Sequence, residues 1–347
     1  MYFKKILAAV AILGLIGLGF FSYYIYNTVF GENTKFSDSQ AIVLIPTNSD
    51  YRSVMDSLRP LVKDIQTLHI VAEKKQYPNN IKAGRFILKK GMNSNEIVNT
   101  LRSTNVPVNI TFNNQERLED LAGRVAQQIE ADSTSLIKVM KDSTFLANHQ
   151  FSEETALNMY IPNKYEFFWN TSAEEFRDRM LKEYNRYWTE SRLEKAEKIG
   201  LTPNQVMVLA SIVQKETAKV DERPKVAGVY MNRFKNGWKL EADPTVIYAL
   251  KKQTQNFDTI IKRVLYKDLE LDSPYNTYKY KTIPPGPITM PDISSINAVL
   301  NYQHHDYFYF VANVKNFGYH KFAKTLAQHN RNKQEYVRWI NKKGINR

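Results

Sequence analysis

The spacing of apolar and polar positions changes several times along this chain, and each change marks an element. From Ile6 to Tyr26 the run ILAAVAILGLIGLGFFSYYIY carries no charge. At about 1.5 Å per residue, a helix of that length matches a hydrocarbon core of about 30 Å. Lys4 and Lys5 lie just before it, so the positive-inside rule predicts a cytoplasmic N-terminus. Tyr23, Tyr24 and Tyr26 fall at the far boundary, where aromatic rings prefer to sit. A cleaved signal peptide is the rival reading. The run is long for such a peptide and lacks a small-x-small cleavage site before the tyrosines. We read it as a retained anchor, helix about 6–26, with residues from about 30 onward outside the cytoplasm.

Beyond the anchor the period alternates between two and three-to-four. AIVLIPTNSDYRSVMDSLRPLV reads as a strand, a turn and a helix capped around Ser49 or Asp50. A strand is predicted over Gly84 to Leu88, a turn at KKGMN, and a helix from about Ser94 with Glu96 behind its cap. VNITFNNQERLEDLAGRVAQQIEAD predicts a strand and an amphipathic helix with Leu118, Leu121, Val125 and Ile129 on one face. The second half holds more aromatic and Pro/Gly punctuation. It predicts a helix from Arg223 or Pro224 to about Phe234, a turn at Asn236-Gly237, and a helix opening at Asp243-Pro244-Thr245 with Asp243 as its cap. The run through Pro284–Pro287 must be a shaped loop. YFYFVANVKNFGYHKFAKTLAQHNRNKQEY predicts an aromatic strand, a turn and a terminal helix, with Tyr307 to Phe310 buried.

One helix carries a chemical question. In LTPNQVMVLASIVQKETAK, Thr202 suits the cap, Pro203 the first helical position, and Gln205 completes a capping box. Val206, Leu209, Ile212, Val213 and Glu216 then recur at steps of three and four, so an ionisable carboxyl continues the apolar face. Packing would desolvate it, and the negative end of the helix dipole would act in the same direction. Both raise its pKa, the condition for a carboxylic acid that donates a proton near neutral pH. The plain alternative is a rim glutamate paired with Lys219.

Composition narrows the classes. The 347 residues allow about two domains, and 43% hydrophobic content indicates a folded chain. With no cysteine, disulfides and thiolate metal sites are excluded, which suits an extracytoplasmic location. The net charge of +13 invites a nucleic-acid reading. An anchor would put that charge on the wrong side of the membrane, and the basic residues are spread out. An anionic polymer or membrane surface outside the cell fits better.

Five blocks occur in order: LASIVQKETA, ERPKVAGVYMNRFKNGWKLEADPTVIYAL, SPYNTY, IPPGPI and YFYFVAN…GYHKFAKTLAQHN. Together they resemble the endolytic murein transglycosylases of the YceG-like type. IKAGRFILKKGMNSNEIVNTLRS resembles that family's LysM-like module. The resemblance implies an α+β architecture in four parts: the N-terminus and single transmembrane helix (1–30), a small LysM-like module (38–107), a connecting strand and helix (108–150), and a larger catalytic domain (151–347). It implies cleavage of nascent peptidoglycan between N-acetylmuramic acid and N-acetylglucosamine without water, leaving 1,6-anhydro ends and limiting strand length. No cofactor or metal is implied. The partners would be glycan strands and the membrane, with glycan polymerases and penicillin-binding proteins nearby, and no nucleic acid. The location would be the cytoplasmic membrane, single-pass, with the catalytic domain outside.

By the same resemblance the catalytic acid falls on Glu216. The family commonly has a second glutamate two positions earlier, where this chain has Gln214. Asp243 reads both as a helix cap and as a cleft wall. Glu241 stands where the family often has glutamine, and is expected among the substrate contacts, not as a catalytic partner. Asn276, Thr277 and Tyr278 would hydrogen-bond or stack on sugars, or else scaffold their loop through an Asx-type turn. His320 and Asn330 are the remaining cleft candidates, with structural packing as the alternative role. His304, His305 and Asp306 do not form a metal set, because adjacent residues on a strand point apart. Two other functions remain open: a non-catalytic wall-binding scaffold, and a two-carboxylate hydrolase using Glu216 with Asp243 or Glu241.

Overall fold

The computed structural model describes residues 2–342, which divide into two units. One comprises Met1–Ile110, Gln128–Ala131 and Tyr165–Ser172; the other holds Thr111–Gln127, Asp132–Lys164 and Ala173–Arg347.

The first unit opens with α1 (Tyr2–Phe30), a helix with no buried residue and long and apolar enough to cross a membrane. Then come β1 (Gln40–Ile45), α2 (Tyr51–Leu58), α3 (Ile65–Lys74), β2 (Gly84–Lys89), α4 (Ser94–Arg102) and the start of β3 (Val108–Phe112). β1 and β2 pair antiparallel, from Gln40 opposite Lys89 to Ile45 opposite Gly84. Strand alternation sends Val43, Ile45, Phe86 and Leu88 to one face, where the apolar sides of α2, α3 and α4 close over them. Each such side chain contributes roughly 1.5–3 kcal/mol on burial. The expected caps are present. Asp50 accepts from the Ser53 N–H, and Asn93 with Glu96 forms a full capping box. The buried Asn33 amide donates to the Asp64 carbonyl and to Ser94 Oγ, and its oxygen accepts from the Asp64 N–H.

The second unit is mainly helical. It contains α5 (Leu118–Ala126), α6 (Ser133–Met140), α7 (Ser143–Asn148), α8 (Ala173–Tyr187), α9 (Glu190–Ile199), α10 (Pro203–Glu216), α11 (Arg223–Lys235), α12 (Asp243–Thr254), α13 (Ile293–Leu300) and α14 (Leu326–Lys342). The chain passes between the units within β3 and within β4 (Asn163–Phe167), which form one two-stranded sheet. β5 (Tyr309–Ala312) and β6 (His320–Ala323) make another, antiparallel, with Tyr309 opposite Ala323 and Ala312 opposite His320.

Three expectations need correcting. The face that should run from Leu118 to Ile129 stops at Val125, because α5 ends at Ala126 and the chain leaves it to reach the next cap, Asp132. Tyr307 to Phe310 are half-buried, and the strand begins only at Tyr309. Third, α10 is buried on all sides from Val206 to Val213, so its three-four stripe understates its role as the central helix. It packs against α9, α11, α12 and α13. Thr202 and Gln205 form the expected capping box at its start.

Candidate active site around Glu216

Glu216 is the last residue of α10, at the point where burial gives way to partial exposure. The phenol of Tyr230, on the facing helix α11, donates to Glu216 Oε1 at 2.7 Å. Desolvation pushes the Glu216 pKa up to about 7. The Tyr230 hydrogen bond and the charges of His320 and Arg233 pull it back; the Asp243 carboxylate adds to the rise. Tyr230 itself is raised well above a normal phenol by burial and by facing Glu216, so it stays a donor. Lys219 does not neutralise the acid: its ammonium lies over the Tyr319 ring at 5.0 Å.

Around this pair the chain assembles supports from distant segments. Glu222, immediately before α11, accepts from Thr217 Oγ at 3.1 Å and from the His320 backbone N–H at 2.7 Å. Its other contact to that residue is His320 Nδ1 at 2.8 Å. Burial would raise the Glu222 pKa, but these donors outweigh it and hold the carboxyl below its usual range. As an ionised acceptor it orients the imidazole through an Nδ1–H. Arg233 donates to the carbonyls of Phe308 (2.8 Å) and Leu240 (2.6 Å) and pairs with Glu241 at 3.3 Å.

Asp243 is the first residue of α12 and not its cap; that position belongs to Ala242, and the Thr245 hydroxyl bonds back to the Ala242 carbonyl. Freed from capping, the Asp243 carboxylate accepts from the Tyr278 phenol at 2.6 Å. Asn276 and Thr277, expected against the sugar, are closed off from the surface. The Asn276 amide is spent on the carbonyls of Leu269 and Leu271, and its oxygen accepts from the Tyr278 N–H. Thr277 Oγ accepts from the Ala242 N–H and lies 2.8 Å from Thr245 Oγ. Asn276 therefore ties its own loop together, the Asx-type alternative, and Thr277 stitches that loop to the start of α12. Tyr278 is the member of the trio that remains half-exposed.

Glu241 is exposed with a left-handed φ of 49°, uncommon for a residue with a side chain. Its N–H is tied to the Thr277 carbonyl and its carboxylate to Arg233. Asn330 is exposed on α14. His305 spends both ring nitrogens inside the chain, one on the Lys225 carbonyl and one on the Tyr307 N–H. Gln214 also turns inward: its amide donates to Asp292 and accepts from the Ser295 hydroxyl. The loop over Pro284–Pro287 approaches its neighbours so closely that a Cβ on Gly286 would collide with the Glu154 carbonyl.

Sequence reasoning missed Tyr230, Glu222 and Arg233. For two of them the signal was present. Val226, Tyr230 and Arg233 repeat at steps of four and three on α11, polar groups on a buried stripe, the same pattern that singled out Glu216. Glu222 gave no such sign, since its partner His320 is remote in sequence.

An α10 glutamate facing an α11 tyrosine, with a histidine from β6 beside them, is the arrangement against which relatives can be compared. The profile of the YceG-like family matches residues 43–335. The chain belongs to the YceG-like family. The endolytic murein transglycosylase of Bacillus subtilis (strain 168) is 31% identical over 328 residues, covering 89% of this chain and 88% of that protein. The protein of the same name in Streptococcus pneumoniae serotype 2 (strain D39 / NCTC 7466) is 27% identical, over 92% of this chain and 62% of its own length. A crystal structure of a yceG-like protein from Listeria monocytogenes superposes with a TM-score of 0.56 at 29% identity, over 85% of this chain and 99% of that one.

Proposed function

We propose that this YceG-like protein is an endolytic lytic transglycosylase of peptidoglycan, with Glu216 as its single acid and base. The observation that carries the reading is the state of Glu216: a carboxyl at the end of a buried helix, held near neutral pKa, with one oxygen assigned to Tyr230. Oε2 is then the oxygen that bears the mobile proton. Glu216 gives that proton to the glycosidic oxygen as its bond to C1 of the muramic sugar breaks. The resulting carboxylate takes the proton of the C6 hydroxyl, whose oxygen closes on C1. The acid is regenerated, no water enters, and the product carries a 1,6-anhydro ring. Tyr230 and the charges of His320 and Arg233 stabilise the carboxylate while it exists.

In this reading Tyr278 and Asp243, whose charges reach Glu216 or its neighbours, contact the sugar, with Glu241 and His320 beside them. α1 supports an anchored, single-pass enzyme with its second unit outside the cytoplasmic membrane, close to emerging strands and to the polymerases that make them. The β1–α4 region is the LysM-like, wall-binding part of this reading.

The experiment is mass analysis of products from uncrosslinked strands, with wild type and Glu216→Gln. Anhydro ends that vanish in the variant are expected; undiminished anhydro ends in the variant would overturn the reading. One observation favours a second reading. Asp243 is close enough to add to the Glu216 pKa, so it could serve as the second carboxylate of a hydrolase. That enzyme would leave reducing ends heavier by one water, and Asp243→Asn would abolish them.

A further inference from the structure

A cavity of about 300 Å³, lined by residues that neighbour Glu216 and Asp243 in sequence, is used by none of these roles. Its position follows from the two helices that carry the site. Lys215 precedes Glu216 on α10, Pro244 follows Asp243 on α12, and both line it. One wall is apolar, built from Ile247, Tyr248, Phe257 and Ile288. The Ile288 N–H is pinned to Ser211 Oγ at 3.0 Å, so that side of the cavity is fixed to α10. The other wall is charged. Glu116 bridges Lys215 at 2.6 Å and Lys251 at 2.9 Å, and the pair holds its carboxyl ionised against the cost of burial. Two ammonium groups thus share one carboxylate, and the Lys251 side chain is only 13% exposed. Each ammonium has three N–H groups, so donors remain for a further acceptor. Asp258 sits exposed at the rim.

A neutral sugar ring stacked on Tyr248 or Phe257 would bring no anion to the lysine pair. A short peptide with small aliphatic side chains and a carboxylate fits it well. The aliphatic groups pack on Ile247 and Phe257, the carboxylate meets the lysine pair, and an amino group at the far end meets Asp258. In peptidoglycan such a peptide hangs from the lactyl ether of the muramic sugar, the residue whose C1–oxygen bond breaks when the acid protonates the glycosidic oxygen.

We infer that the cavity between α10, α12 and the Phe257 loop is a subsite for the stem peptide of the sugar being cleaved. This rests on the transglycosylase reading, and the test keeps the two separable. The full chain in detergent is given uncrosslinked strands bearing their peptides, and the same strands stripped of them by an amidase. In wild type kcat/KM should favour the peptide-bearing strands about tenfold. In Ile247→Trp, which fills the cavity, and in Lys251→Met, which removes one ammonium, that ratio should fall to near one. A ratio near one in wild type, or a ratio kept in both variants, overturns the subsite. Should neither strand be cut, the transglycosylase reading fails. Calorimetry with a synthetic N-lactyl tetrapeptide containing a γ-linked glutamate then decides the subsite alone. Binding lost in Lys251→Met supports it, and no binding to wild type refutes it.

Discussion

The end of α10 and the turn that leads into α11 each carry a desolvated glutamate, and the two behave in opposite ways. Among the described residues the Glu216 carboxyl accepts one hydrogen bond, from Tyr230, and its pKa rises to about 7. Glu222 is the more buried by surface exposure, yet it accepts from Thr217 and from both the backbone and the ring of His320, and its pKa falls. Burial alone therefore does not make an acid. What decides is the balance between desolvation and the donors that meet the carboxylate: at Glu222 the donors win, at Glu216 desolvation does. Glu222 is satisfied as an anion and serves as scaffold; Glu216 is left short of donors and keeps a usable proton.

Four substitutions would break or sharpen this contrast. The largest effect belongs to Glu216→Gln. Loss of the proton donor should lower turnover by about 10²–10⁴-fold, measured as anhydro-end release. The same variant tests the pKa by stability. In the unfolded chain Glu216 titrates near its ordinary value of 4.5, in the folded chain near 7, so its stabilising contribution is full below 4.5 and is lost as pH rises through 7. Denaturant unfolding should find Glu216→Gln gaining on wild type between pH 5 and pH 8. An equal difference at both pH values would show that Glu216 is not desolvated.

Glu222→Ala should cost about 3 kcal/mol in unfolding free energy, since it strands the His320 ring and the Thr217 hydroxyl. Its sign with pH is the reverse. Wild type enjoys the Glu222 contribution above the ordinary carboxylate pKa and loses it as pH falls, so the gap between the two proteins should close in acid. A gap that widens in acid would contradict an ionised Glu222. Tyr230→Phe comes next. It removes the hydrogen bond that favours the Glu216 carboxylate, so the alkaline limb of the pH–rate profile should move up by about one unit. Lys219→Ala is the smallest change, with activity and stability within about 0.5 kcal/mol of wild type. A large loss would mean that the lysine does pair with the acid.

Much of this is legible in the sequence. Caps at Asp50, Asn93–Glu96 and Thr202–Gln205 are local hydrogen bonds, and local rules found or bracketed each of them. The stripe on α10 put Glu216 at the edge of the core for the same reason. Misreadings arose where a remote segment claims a residue. Asp243 looks like a cap until Tyr278 takes its carboxylate. Asn276 and Thr277 look like sugar contacts until their hydrogen bonds are counted inside the loop. Tyr307 to Phe310 look fully buried because their aromatic density says nothing about how much of each ring the neighbouring elements cover.

By itself the sequence determined the apolar first helix, the alternation of short strands and capped helices, and the carboxyl that closes the α10 stripe. These depend on period and on neighbours within a few residues, which a linear text records. Tertiary structure alone decided which glutamate is starved of donors and which is saturated. A pKa depends on groups that meet in space, and Tyr230, Asp243 and His320 converge there from three different elements.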